Sequence, residues 1–184
     1  ISIDGTGSDR ARWTQDWFPR LDAASAYAMV RHHAPGRIIE IGSGHSTRFM
    51  HRAVQDGGLA TRITAIDPAP RADIAELPIR LERMTVQSVD LGLFDDLGSG
   101  DFVCVDSSHI MMPGSDVDIA VNRILPALPA GTFVFFHDIL LPDGYPEDWT
   151  WRGYNEQNAV AALLQGGWEI VFASHYAATR MSDR

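Results

Sequence analysis

The stretch Arg37-Ile38-Ile39-Glu40-Ile41-Gly42-Ser43-Gly44-His45-Ser46-Thr47 reads as a short buried strand, a glycine turn and the start of a helix. A second apolar run, Ile63-Thr64-Ala65-Ile66, ends in Asp67. Glycine reaches backbone angles closed to other residues and lets a ligand approach the chain closely. A helix opening near Ser46, with Ser46 or Thr47 as N-cap, turns unpaired N–H groups toward the same spot. An acidic side chain about 20 residues on, at the end of the next strand, is placed to accept hydrogen bonds from ribose hydroxyls. Each feature alone has a plainer reading: a tight strand-to-helix turn, and a carboxylate capping the turn at Pro68. Together they point to a nucleoside-type ligand.

Outward from this pair, helices and strands alternate. Apolar spacing predicts helices over 21–33, 46–55, 116–128 and 155–165, with a weak short one over 71–76. Continuous apolar runs predict strands at 37–41, 63–66, somewhere within 79–86, 102–105, 132–136 and 168–173. Strands apolar on both faces belong to a mostly parallel sheet covered by helices on both sides, an α/β doubly wound architecture. Such sheets bind ligands beyond the carboxyl ends of their strands. Polar residues gather there in turn: 42–47, Asp67, 88–90, 106–109 and His137-Asp138.

The bulk properties fit one such domain. The chain has 184 residues, 45% of them apolar and 21% charged, which suits a single globular α/β unit. We divide it into a helical segment over 1–36, a core over 37–176 and a substrate-side loop over 142–153. A net charge of -9 argues against nucleic acid as a partner. No apolar run approaches the ~20 residues of a membrane span. The lone cysteine, Cys104, has no internal disulfide partner, and a cytoplasmic location is the default expectation.

The segment Glu40-Ile41-Gly42-Ser43-Gly44 resembles motif I of the class I S-adenosylmethionine-dependent methyltransferases, with Ser46 where a third glycine is usual. The resemblance extends over about 37–176. It implies a Rossmann-like methyltransferase fold in which Glu40, Gly42, Ser43, Gly44, Ser46, Thr47 and Asp67 surround the cofactor. Gln87-Ser88-Val89-Asp90 looks like the adenine-flanking segment, which adds Ser88. The blocks 101–109 and 131–139 look like those of small-molecule O-methyltransferases. His137-Asp138-Ile139 and Asn155-Glu156-Gln157 are similar to a bacterial O-methyltransferase-like subfamily. In catechol-type relatives an acid ends strand four, a base follows three residues later, and an acidic pair after strand five holds a divalent ion. Asp106, His109 and His137-Asp138 occupy the matching positions, with His137 replacing one acid.

The implied activity is methyl transfer to a hydroxyl of a small sugar- or phenol-like acceptor. Two mechanisms are open: His109 or His137 as general base beside Asp106, or Asp106 and Asp138 holding Mg²⁺ or a similar ion that acidifies the hydroxyl. An N-methyltransferase and a non-catalytic nucleoside-binding module are the alternatives, with an NAD-linked oxidoreductase behind them. We expect the acceptor pocket to be built by 110–114, by the loop 142–153 with Tyr145, Trp149, Trp151 and neighbouring Tyr154, and by Trp13 and Trp17. Arg152 has three possible partners: an acidic substrate group, Glu147 or Glu156. The family's sheet ordinarily ends in an antiparallel seventh strand, for which 176–184 has poor character. Either that last strand lies outside this sequence or the fold closes differently, and a missing edge strand would invite a homodimer.

Overall fold

A computed structural model describes residue 3 and residues 10–181. Five strands form one sheet: β1 (Arg37–Ile41), β2 (Arg62–Ile66), β3 (Arg80–Glu82), β4 (Phe102–Val105) and β5 (Phe133–Phe136). Their order is β3-β2-β1-β4-β5, and every neighbouring pair is parallel. The helices are α1 (Arg20–His33), α2 (His45–Gly57), α3 (Asp116–Ile119), α4 (Glu156–Gln165) and α5 (Ser174–Arg180). This is the Rossmann-like doubly wound fold expected from the sequence.

Side chains alternate across a strand, so each strand feeds two cores. Ile38, Phe102 and Cys104 pack with Ala23, Tyr27 and Val30 of α1 and with Phe49, Met50 and Ala53 of α2. Ile39, Ile41, Val103 and Val105 pack on the opposite face with Phe94, Ile119, Ala120 and Ile124. No helix among the described residues is long and apolar enough to cross a membrane.

Several local expectations need correction. Helix α2 starts one residue early with Gly44 at its N-cap, and Ser46 and Thr47 lie buried inside its first turn. Residues 71–76 form bends and turns, because too few contacts hold so short a helix. The helix predicted over 116–128 is α-helical only to Ile119, widens into a π-type turn and closes as a 3₁₀ turn at Leu125–Ala127. Pro126 lies in that last turn and has no N–H to continue the α ladder. The sixth strand, 168–173, does not form. Trp168, Ile170, Val171 and Phe172 are instead exposed, at 37% to 63%. A strand exists through its neighbour's hydrogen bonds, and none is offered here. Residues 174–180 of the polar tail are helical as α5, and the last three residues lie outside the described region.

Candidate active site

The parallel register assembles the site. Ile41 pairs with Ile66 on one side and Val105 on the other, and Val105 pairs with Phe136. The next residue of each strand therefore falls in one row: Asp67, Gly42, Asp106 and His137. The ladder continues into that row. Gly42 N–H donates to Ile66 (2.9 Å), Asp106 N–H to Ile41 (2.9 Å) and His137 N–H to Val105 (3.0 Å). Gly42 has φ 89°, and a Cβ there would lie 1.8 Å from the backbone oxygen of Asp106. Only glycine allows the ends of β1 and β4 to approach this closely.

Above the row lies a cavity of about 980 Å³, with the glycine turn at one end and a histidine–carboxylate cluster at the other. At the turn, Ser43 Oγ donates to Asp67 Oδ2 at 2.7 Å, and Ala69 N–H donates to Asp67 Oδ1 at 2.7 Å. The capping reading of Asp67 thus holds, and the carboxylate keeps lone pairs beyond these two bonds. Gly42, Ser43, Gly44, Asp67 and Asp106 line the cavity, whereas Glu40, Ser46, Thr47 and Ser88 do not. Glu40 is fully buried beneath the turn; Ser46 Oγ and Thr47 Oγ1 each lie 2.5 Å from its oxygens. Thr47 Oγ1 also accepts from Gly44 N–H at 2.9 Å. Burial pushes the Glu40 carboxyl up to about 8, against the pull of both hydroxyls. Glu40 thus braces the turn as a neutral acid. His45, beside the turn, is pushed down to about 4 by burial and by Arg48 and Arg12.

At the other end, His109 Nε2 lies 3.7 Å from Asp106 Oδ1 and 3.7 Å from Asp138 Oδ2. His137 Nδ1 meets Asp106 Oδ1 at 3.1 Å, and its Nε2 lies 3.7 Å from both Asp22 and Asp138. Burial alone would lower the His137 imidazole. The carboxylates of Asp106, Asp22 and Asp138 outweigh it and hold the ring well above its ordinary range. Burial would raise Asp106, but His137 and His109 together hold it below the usual carboxylate range. Asp138 goes the other way, raised chiefly by burial. His109 and Asp138 have φ of 59° and 53°, left-handed conformations that non-glycine residues rarely adopt and that gather at functional sites. Asp106, His109 and His137 offer ligand atoms within 4.8 Å of one another, spacing that could hold a metal ion.

Distant elements complete this end. Asp22 comes from α1, and Glu156 of α4 meets His109 Nδ1 at 2.8 Å. Asp22 carries no local sequence signal, being an acid in a helix's first turn, an ordinary place for one; Glu156 stands in the Asn155-Glu156-Gln157 segment, whose resemblance gave it no role at His109. Asp106 does not cap its own loop; Asp116 does, accepting from Ser108 N–H at 2.9 Å and Ser108 Oγ at 2.5 Å. Arg152 pairs with neither Glu147 nor Glu156. Its guanidinium lies 4.1 Å from the centre of the Trp149 ring and 4.0 Å from Asp138 Oδ2.

The expected acceptor wall is corrected in part. Trp17, Trp149, Arg152 and Tyr154 line the cavity, but Trp13 packs on Phe49 in the core. Residues 110–114 do not line it, and Met111 borders a separate apolar groove with Trp168. Trp151 points outward, 81% exposed. Buried polar atoms without a partner gather round the cavity: His45 Nδ1, Ser107 Oγ, His137 Nε2 and Arg152 Nε all belong to residues that line it. Such atoms are costly to leave unpaired, so their concentration marks a place where a ligand completes the bonding.

Residues 39–139 match the family model of a methyltransferase domain. The chain belongs to this methyltransferase domain family. The matched region takes in β1 from Ile39 onward, β2 to β5, and the whole row of strand ends. Among solved structures, the methyltransferase domain is similar to the SAH-bound methyltransferase PaMTH1 of Podospora anserina. The two share 19% identity with a TM-score of 0.55, over 79% of this chain and 70% of the other, a likeness of fold. None of the curated proteins compared matches the chain.

Proposed function

We propose that the domain is an S-adenosylmethionine-dependent O-methyltransferase acting on a small sugar- or phenol-like hydroxyl compound, with His109 as the general base. One observation carries the reading: a single cavity joins the Ser43–Asp67 end to the His109–Asp106–Asp138 cluster. The residues present fit the cofactor. Asp67 has free lone pairs for ribose hydroxyls, the space beyond Gly44 is open but for Ala72 at 3.8 Å, and His45 Nδ1 and Ser107 Oγ lack partners. The His137-Asp138-Ile139 and Asn155-Glu156-Gln157 segments favour the bacterial O-methyltransferase-like subfamily.

S-adenosylmethionine, when bound, supplies a methyl group on a positive sulfur. The chain's own groups align the acceptor and manage its proton. Trp149 and Tyr154 offer flat faces to a ring. His109 Nε2 takes the hydroxyl proton as the carbon–oxygen bond forms and the carbon–sulfur bond breaks. His137, whose basicity three carboxylates raise above the ordinary imidazole range, holds its proton too firmly to suit that task as well. It supplies positive charge that keeps Asp106 ionised.

A second reading rests on the close approach of Asp106, His109 and His137. A divalent ion held by these residues, with Asp138 beside them, would acidify the hydroxyl instead. Two imidazoles suit Zn²⁺ or Mn²⁺ better than Mg²⁺. Full turnover after exhaustive chelation would remove this reading.

The test is calorimetry with S-adenosylhomocysteine, followed by a methyl-transfer screen over sugars, phenols and amines. Transfer to hydroxyls that is lost in His109→Ala supports the proposal. Transfer to amines alone would make the domain an N-methyltransferase, and binding without transfer to any acceptor would make it a nucleoside-binding module.

A further inference from the structure

We propose that Glu156 is a positioning residue that fixes the tautomer of His109, holding its proton on Nδ1 and leaving the Nε2 lone pair aimed between Asp106 and Asp138. The inference rests on the proposed role of His109 and adds a residue to it. Glu156 is fully buried in the first turn of α4, and its Oε2 lies 2.8 Å from His109 Nδ1. Its other oxygen, Oε1, is buried without a partner. A buried carboxyl with a single partner does little for stability on its own account.

The backbone enforces the same contact. Asn155 N–H and Glu156 N–H both donate to the His109 carbonyl, at 3.0 and 3.2 Å. Asn155 Oδ1 accepts from Met111 N–H at 2.6 Å, and its Nδ2 donates to the Met111 carbonyl at 3.3 Å. The start of α4 is thus latched to the 109–111 segment, and His109 is held at φ 59°. Facing the cavity, Nε2 is 3.7 Å from each of two carboxylate oxygens. That spacing leaves room for a hydroxyl or a cation between Nε2 and the two carboxylates, and the choice of protonated nitrogen falls to the 2.8 Å contact at Nδ1. A carboxylate on the far nitrogen is the usual way a protein chooses which imidazole nitrogen stays bare. A protonated Glu156 would do the reverse, placing the proton on Nε2.

The experiment is long-range ¹H–¹⁵N correlation on protein labelled with ¹⁵N-histidine, with His109 assigned from its loss in His109→Asn. It needs no acceptor. In the wild type His109 should carry its proton on Nδ1. Glu156→Leu should shift the population to Nε2–H, and Glu156→Asp should restore Nδ1–H in part. Calorimetry with S-adenosylhomocysteine identifies a folded variant, and Glu156→Met, which also removes the acceptor, serves in its place if the leucine variant fails to bind. With an acceptor in hand, the same substitution should lower kcat by about 10–100-fold, with KM for the cofactor within about twofold. An Nε2–H tautomer in the wild type, or one unmoved by either substitution, overturns the inference even in an active enzyme. A Glu156-dependent Nδ1–H tautomer in a protein that methylates nothing supports it while removing the role of His109 as base.

Discussion

The two ends of the cavity are built differently. The end proposed for the nucleoside is made by local chain: Gly42 to His45, which follow β1, and Asp67, one step beyond β2. The acceptor end is made by side chains from four places in the chain: Asp22 on α1, His109 after β4, His137 and Asp138 after β5, and Glu156 on α4. Local chain geometry can hold a shared cofactor, whereas a reacting group needs charges converging from several directions.

That contrast can be broken first at the acceptor end. His109→Ala should lower kcat by about 10²–10⁴-fold while the affinity for S-adenosylhomocysteine stays within about twofold. Equal losses in both would mean that the two ends are not separable. At the seam between them, Gly42→Ala should damage both together, because the new methyl drives into the Asp106 backbone at a positive φ. A destabilisation of about 1–3 kcal/mol or more in chemical denaturation is expected, with loss of cofactor binding. At the nucleoside end, Asp67→Ala should weaken S-adenosylhomocysteine by about 10–100-fold, the worth of a hydrogen bond to a charged group, without moving the pH dependence of kcat.

The smallest effect lies beneath the turn. Folding raises the Glu40 carboxyl from an ordinary 4.5 to about 8. Between those values the folded protein holds a proton that the unfolded chain has lost. The contribution of Glu40 to stability is therefore full below about pH 4.5, declines as pH rises, and is gone above about 8. Glu40→Gln, which mimics the neutral acid, should flatten that decline and make the protein more stable than wild type at pH 9. A variant that tracks the wild type from pH 5 to 9 in urea denaturation would show that Glu40 is charged.

What the sequence disclosed follows the same division. β1, β4 and the glycine turn were legible because each is settled by neighbours in the chain: buried aliphatic runs and a turn that demands glycine. The row of strand ends followed from parallel pairing. The stretch around Ile170 misled, because strand propensity says nothing of whether a partner strand is present. Trp13 misled because an aromatic near a site packs equally well in the core beneath it. Asp22 and the role of Glu156 were invisible, since they depend on His137 and His109, 115 and 47 positions away. Arg152 was left between three partners and chose Trp149 and Asp138, a matter of how one loop folds over the cavity.

The shared register has a consequence for how such a domain diversifies. Asp67 and His137 stand on β2 and β5, three strand intervals apart, or about 14 Å at ordinary interstrand spacing. The sheet acts as a ruler whose graduations are hydrogen-bond repeats, and no substitution in the 142–153 loop can rescale it. On the proposed function, mutations there can audition new acceptors while the distance from the Asp67 carboxylate to the His137 imidazole stays calibrated.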